Sequence, residues 1–349
     1  MLTTLIAIAT IGTPQKQPPD LTEELKAETV RSLAEKMAEK YVFSDKGSAV
    51  KEVLLQNLRS GKYGEVKDGD KFAEILLADV NEVIADKHFM LWYSASPLEG
   101  EMKPGPGYEE RQRTFLKRQN GFVKSVEHLQ GNIGYLKIDA LFAPEHIERP
   151  IAGAMQFLNG TDAMIIDLRE NGGGVPEAVQ LLSSYFLKPE PVLLSTLYWK
   201  PTDEMIEYWS LKTVDGERYL GKPLYILTSK ETASGAEGLA YTLKNLGRAI
   251  IVGERTWGGS HPGMTVKISK HFASVIPMGY SVNAVTGKDW EGTGVVPDFE
   301  VSADSAFVKA QVLALQALRE KSPDEEWKAT LQRRVDELSG EKQQQSLRR

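Results

Sequence analysis

Two short segments constrain the architecture more tightly than anything else in the chain: residues 163–168 (Ala-Met-Ile-Ile-Asp-Leu) and 224–228 (Leu-Tyr-Ile-Leu-Thr). Successive side chains of a strand point to opposite faces, so a strand that is apolar almost throughout must be covered on both sides. Each segment runs into a short loop and then a helical pattern, over 175–187 and 234–246. A buried strand followed by a crossover helix is the repeating unit of a parallel α/β sheet. Residues 133–138 (strand), 144–158 (helix) and 250–252 (strand) extend the series. Residues 192–199 read as a further strand, and 263–283 alternate in the manner of antiparallel strands.

The ends of the chain read differently. Asp20 and Glu23 are spaced as a capping box. Val30, Leu33, Met37 and Tyr41 then recur at helical intervals. Val50, Val53, Leu54 and Leu58 make a second apolar stripe, and Phe72, Ile75, Leu76, Val80, Val83 and Ile84 a third. The expected organisation is an N-terminal helical domain over 20–93, a linker-like segment over 94–130, an α/β core over 131–303, and C-terminal helices with a disordered tail over 304–349. Residues 1–13 are a short apolar run followed by a Pro-rich stretch to residue 19, the length of a signal-peptide core and too short for a membrane span. Export to the periplasm or the exterior is the expectation.

Composition removes several classes. With 41% hydrophobic and 26% charged residues the chain is neither collagen-like nor largely disordered, and a net charge of −6 gives no basic footprint for nucleic acid. The absence of cysteine excludes a thiol nucleophile, a disulfide framework and a thiolate metal site. No histidine pair has metal-ligand spacing. No metal or cofactor is expected.

In open α/β sheets, ligands bind beyond the carboxyl ends of the strands. Two loops lie there. The first, Asp167-Leu-Arg-Glu-Asn-Gly-Gly-Gly174, leaves a buried strand and enters a helix. Glycines without Cβ atoms expose backbone N–H groups, and a helix N-terminus favours negative charge; together they suit a developing oxyanion. The loop lacks the Lys-Ser/Thr of a phosphate loop. The second, Thr228-Ser-Lys-Glu-Thr-Ala-Ser-Gly-Ala-Glu237, places Ser234 at a helix start, where plain N-capping with Glu237 is the bland account. It is not a Gly-x-Ser-x-Gly elbow, because Thr232 stands at the first glycine position. A serine nucleophile needs a base and the base an orienting acid. His88, just before a strand, and His261, in a Gly-rich loop expected to be flexible, are candidate bases; His128, His146 and His271 look like surface or packing positions. Glu291, in a Gly-rich loop beside Trp290, is a candidate acid.

Five stretches in order, GNIGYLKI, MIIDLRENGGG, ILTSKETASGAEGLAYTLK, IIVGERTWGG and EGTGVVPD, resemble the C-terminal-processing (tail-specific) serine peptidase family. The helical segment at 20–86 resembles the branch related to interphotoreceptor retinoid-binding protein. The resemblance implies a ClpP/crotonase-like core of βα units, Ser234 as nucleophile, and an oxyanion hole made by the N–H groups of Gly173 and Gly235. The best-known branch uses a lysine base; here Gly259 stands at its position, and the PDZ domain common in that branch is missing. The tricorn-like branch uses an early histidine and a late glutamate, which His88 and Glu291 match in chain order, although Lys87 stands where that branch has a serine.

The expected function is a serine endopeptidase that cleaves unfolded or C-terminal peptide segments by acyl transfer to Ser234. His88 takes the hydroxyl proton and Glu291 steadies the imidazole. The alternative is a catalytically inert binder of retinoid or fatty-acid-like ligands, favoured by the missing lysine.

Overall fold

The computed structural model describes residues 21–100 and 107–346. From the N-terminus the elements are α1 (Glu23–Lys40), α2 (Ser44–Arg59), α3 (Gly69–Ile84), β1 (Met90–Tyr93), α4 (Tyr108–Arg118), β2 (Val123–Leu129), β3 (Ile133–Ile138), α5 (Pro144–Leu158) and β4 (Ala163–Asp167). They continue with α6 (Pro176–Tyr185), β5 (Leu193–Trp199), β6 (Glu204–Trp209), β7 (Leu224–Thr228), α7 (Gly235–Asn245) and β8 (Ile250–Gly253). Then come β9 (Gly263–Lys267), β10 (Phe272–Pro277), β11 (Gly279–Asn283), β12 (Phe299–Glu300), α8 (Ala303–Lys321) and α9 (Glu325–Ser346).

Two compact units share these elements. The first takes Met1–Glu109, Thr196–Ile206 and Gly259–Val282; the second takes Glu110–Ser195, Glu207–Gly258 and Asn283–Arg349. The boundaries expected from the sequence follow the chain, whereas each unit gathers three separate stretches. A small sheet has the order β11-β5-β6.

The second unit carries a six-stranded sheet of order β12-β8-β7-β4-β3-β2. Its pairs are parallel from β12 to β3, and β2 closes the edge antiparallel to β3. The apolar runs divide with period two. Met164 and Ile166 of β4, Leu224 and Ile226 of β7 and Ile251 of β8 enter the core under α5, α6 and α7. Ala163, Ile165, Tyr225, Leu227 and Val252 enter the opposite core with Ala310, Leu315 and Leu331 of α8 and α9. Helices on both faces are the physical reason that these strands admit no alternation. Every residue of β4 and β7 is buried. Each fully buried large aliphatic side chain of these strands contributes about 1.5–3 kcal/mol.

In the first unit, Val30, Leu33, Met37, Val50, Leu54, Phe72, Leu76 and Val80 of the three helices form one core with Phe272 and Ile276 of β10. The antiparallel sheet has the order β1-β10-β9.

The structure departs from the sequence reading in several places. The N-cap of α1 is Thr22, whose side chain accepts from Leu25 N–H at 3.2 Å; Asp20 lies outside the described residues. The segment read as linker-like holds α4 and the edge strand β2, both too polar to announce themselves by periodicity. The helix α9 runs to Ser346, through residues expected to be disordered; 347–349 lie outside the described residues. The apolar run at 1–13 also lies outside them. Among the described residues, no helix is long and apolar enough to cross a membrane.

Candidate active site

The glycine loop begins where β4 ends. Asp167 is buried and accepts from Tyr135 Oη at 2.7 Å and from Arg169 Nε and Nη2 at 2.9 and 2.6 Å. Burial alone would raise this carboxyl, but the bonds from Arg169 and Tyr135 outweigh it and hold it below the usual carboxylate range. Four residues on, Asn171 is fully buried. Its Nδ2 donates to Ile138 O at 2.9 Å and its Oδ1 accepts the Gly173 N–H at 2.8 Å. Gly173 and Gly174 have φ of 98° and 153°, which L side chains rarely adopt. Leu141 pairs with this loop: its N–H donates to Gly173 O, and its carbonyl accepts from Val175 N–H, both at 2.8 Å.

The serine loop follows β7 and is sewn to the glycine loop. Thr232 Oγ1 donates to Leu168 O at 2.8 Å, and Ala233 N–H donates to Asn171 O at 3.0 Å. Ser234 then takes φ 51° and ψ −120°, a conformation that costs a non-glycine residue about 1–3 kcal/mol. An ordinary N-cap is extended, so capping alone does not account for this geometry. The turn is as sharp as the strand-to-helix turn of a nucleophile elbow, without the glycine that the usual elbow motif carries.

The two loops meet through glycine. A Cβ on Gly173 would lie 2.6 Å from Ala233 O, 2.7 Å from Ser234 Cβ and 2.8 Å from Gly235 N; one on Gly235 would lie 2.8 Å from Gly174 O. Ser234, Gly173 and Gly235 are therefore packed against one another. The Gly173 N–H, expected as an oxyanion donor, is instead given to Asn171.

Glu237 holds the serine turn from behind. It is fully buried, and its Oε2 accepts the Ser234 N–H at 2.8 Å. Its Oε1 accepts from Thr256 Oγ1 at 2.5 Å and from Gly258 N–H at 2.7 Å. Thr256 Oγ1 in turn accepts Val295 N–H at 2.7 Å, and Gly292 N–H donates to Gly258 O at 2.8 Å. The loop carrying Glu291 is thus tied to the first turn of α7 through Thr256 and Gly258. Glu291 is partly buried, and its own N–H donates to Asp289 Oδ1 at 3.0 Å. Sequence reasoning saw Glu237 only as a capping residue. The signal was present in the Ser-x-x-Glu spacing, but its further bonds come from a loop about twenty residues on.

His88 belongs to the first unit. Its backbone N–H donates to Asp86 Oδ1 at 3.0 Å. Burial, helped by the nearby His261, pushes its imidazole down to about 4 against the pull of Asp86. Asp86 is buried too; its Oδ2 lies 2.7 Å from His261 Nδ1 and accepts from Tyr41 Oη at 3.0 Å. His261, expected on a flexible loop, is buried. Asp86 escaped the sequence reading because nothing in the chain marks it as the partner of a histidine at position 261. His271 Nδ1 donates to Ser94 O and His128 Nε2 to Asn132 Oδ1, both ordinary packing or surface roles.

A serine hydroxyl on a strained turn, backbone N–H groups beside it and a buried carboxylate fixing the turn are parts that acyl transfer can use. Comparisons with known proteins agree with that chemistry. Residues 132–301 match the family described as Peptidase family S41, and residues 21–121 match the N-terminal domain of Peptidase_S41 in eukaryotic IRBP. The chain is 33% identical over 129 residues to a carboxyl-terminal-processing protease of Synechocystis sp., covering 36% of this chain and 28% of that protein. It is 26% identical over 179 residues to the chloroplastic carboxyl-terminal-processing peptidase 1 of Arabidopsis thaliana, covering 51% and 35%. It spans about a third of the length of these curated relatives. The crystal structure of mature CPAF shares the fold with a TM-score of 0.56 at 13% identity, over 84% of this chain and 97% of that one. Family matches to the α/β core and to the helical N-terminal region, in the expected order, place this chain in peptidase family S41.

Proposed function

We propose that the protein is a serine endopeptidase of the carboxyl-terminal-processing type, cleaving unfolded or C-terminal peptide segments by acyl transfer to Ser234. The observation that carries this reading is the Ser234 turn, strained to φ 51° and seated on the glycine loop. A capping serine gains nothing from that strain, whereas a nucleophile presented to a substrate does. Peptide substrates follow from the family and from the names of its relatives.

For the base we propose His88, with Glu291 as the acid completing the set. The neutral imidazole is the form that accepts a proton, and burial keeps His88 neutral at pH 7. A second reading makes His261 the base, favoured by its 2.7 Å contact with Asp86, the pairing that orients an imidazole in hydrolase triads. Gly235 N–H serves as an oxyanion donor. The apolar run at 1–13 supports export, which N-terminal sequencing of the secreted protein would test.

The deciding experiment is labelling with a fluorescent fluorophosphonate, mapped by mass spectrometry. Labelling at Ser234, lost in Ser234→Ala, is the expected result. Loss in His88→Ala but not in His261→Ala names the base. Peptide turnover surviving in Ser234→Ala would sink the assignment.

A further inference from the structure

We propose that Phe122 and Phe142, with Phe115 beside them, form a subsite for an apolar side chain of the substrate peptide. This rests on the acyl-transfer reading of Ser234 given above.

The turn joining α4 to β2 is strained. Asn120, Gly121 and Phe122 take φ of 48°, 61° and 61° in succession. Asparagine and glycine enter that region readily, but a bulky aromatic seldom does. Two contacts hold the turn. A Cβ on Gly121 would lie 3.0 Å from His146 O, so the chain is pressed onto the first turn of α5. Phe122 O accepts the Asp139 N–H at 3.1 Å, at the end of the β2–β3 ladder. Strain of this kind persists only where the surroundings over-determine it, and it gathers at ligand sites.

The turn fixes the place of one ring. Phe122 stacks on Phe142 with centroids 4.9 Å apart and planes 21° apart, and Phe115 of α4 lies 6.0 Å from Phe122. All three are only partly buried, whereas Phe186 in the core of the same unit is sealed. Three adjoining phenyl rings left partly open make an apolar patch. They lie at the carboxyl end of β3, the side on which open α/β sheets bind ligands.

Phe142 connects this patch to the reaction. Its neighbour Leu141 brackets Gly174, with its N–H on Gly173 O and its carbonyl on Val175 N–H, both at 2.8 Å, and Gly173 packs against Ser234. An extended peptide advances about 3.3 Å per residue, so the patch serves a side chain within about three residues of the attacked carbonyl. Aliphatic and aromatic side chains gain by covering the rings, and short polar ones do not. The one polar side chain over the patch is flexible. Lys124 Nζ lies 5.7 Å above the Phe122 ring, 3.3 Å from Gln119 Oε1 and 3.7 Å from Asp139 Oδ2. These are long contacts of an exposed lysine, which swings aside as an apolar side chain arrives and covers the ring when none is bound.

A positional peptide library tests the subsite. One position within about three residues of the scissile bond is expected to favour Leu or Phe over Ser by at least about 10-fold in kcat/KM. In Phe142→Ala, and in Phe122→Gly, which removes the strain together with the ring, that ratio is expected to fall below about 3-fold through KM, with fluorophosphonate labelling of Ser234 within about 2-fold of the parent. Phe157→Ala, which deletes an exposed ring on α5, is expected to keep the parent ratio. A peptide with a benzophenone side chain at the preferred position, bound to Ser234→Ala, is expected to crosslink between residues 115 and 142, a readout that needs no ring variant to fold. An unchanged ratio in folded variants, an equal loss for every peptide, or a crosslink elsewhere overturns this proposal and leaves the nucleophile standing. A folded parent protein that neither labels at Ser234 nor cleaves any peptide overturns the acyl-transfer reading, and this one with it.

Discussion

Replacing Glu237 with glutamine changes one atom in the support of the serine turn. The carboxylate accepts three donors without solvent: Ser234 N–H on Oε2, and Thr256 Oγ1 and Gly258 N–H on Oε1. Glutamine has one carbonyl oxygen, which satisfies the pair of donors on the Thr256 side. Its NH₂ group then faces the Ser234 N–H, donor against donor. The loss of a charge-assisted bond together with a stranded buried donor amounts to about 3 kcal/mol. For a unit of this size that corresponds to roughly 6–12 °C in melting temperature. The turn itself stores about 1–3 kcal/mol at φ 51° and relaxes once its N–H is no longer held. Scanning fluorimetry and the fluorophosphonate labelling rate together check this. We expect the melting drop and at least about a tenfold slower labelling, with Glu231→Gln, an exposed acid on the same loop, unchanged in both. A Glu237→Gln protein with native melting and a labelling rate within a factor of about two would refute the reasoning.

The same strain makes Ser234→Gly more stable than Ser234→Ala by about 1 kcal/mol, since glycine adopts positive φ without cost; equal urea midpoints would contradict it. In the glycine loop, Gly172→Ala meets nothing within 4 Å and leaves melting within about 2 °C. Gly174→Ala would set a Cβ 1.7 Å from Leu141 O and is expected to yield no soluble folded protein; recovery of a native far- and near-UV circular dichroism spectrum would be the contrary result. The lowered His88 gives a pH prediction. Below its unfolded value of 6.5 the unfolded chain binds a proton that the folded protein refuses down to about 4. Stability is therefore full above pH 6.5 and falls with acidification towards pH 4, by at most about 3 kcal/mol. If His88 is the base, the acid limb of the labelling rate has its midpoint near 4; a midpoint near 6.5 would point away from it.

How much was legible depends on how local the cause was. The strands over Ala163–Asp167 and Leu224–Thr228 and the helix over Pro144–Leu158 were readable to within a residue. Burial on both faces and amphipathic spacing are written in consecutive residues. The edge strand Val123–Leu129 and the helix Tyr108–Arg118 were missed because their faces are too exposed to impose a pattern. The glycine and serine loops were found because loops at the carboxyl ends of buried strands hold ligand sites in such sheets. The strain at Ser234 was not found, since a backbone angle depends on what the neighbouring loop and Glu237 allow.

The sequence by itself determined the layered α/β core, the helical N-terminal region, the pairing of a glycine loop with a serine at a helix start, and the family. These follow from periodicity and from motifs spanning a few residues each. Tertiary structure alone decided which atoms the site presents. It gave the Gly173 N–H to Asn171, set three donors on Glu237, and joined Asp86 to a histidine 175 positions later. It also gathered Thr196–Ile206 and Gly259–Val282 into one unit with the N-terminal helices. A hydrogen bond requires atoms to meet within about 3 Å at a defined angle, and only the folded chain brings residues so distant in sequence to that range.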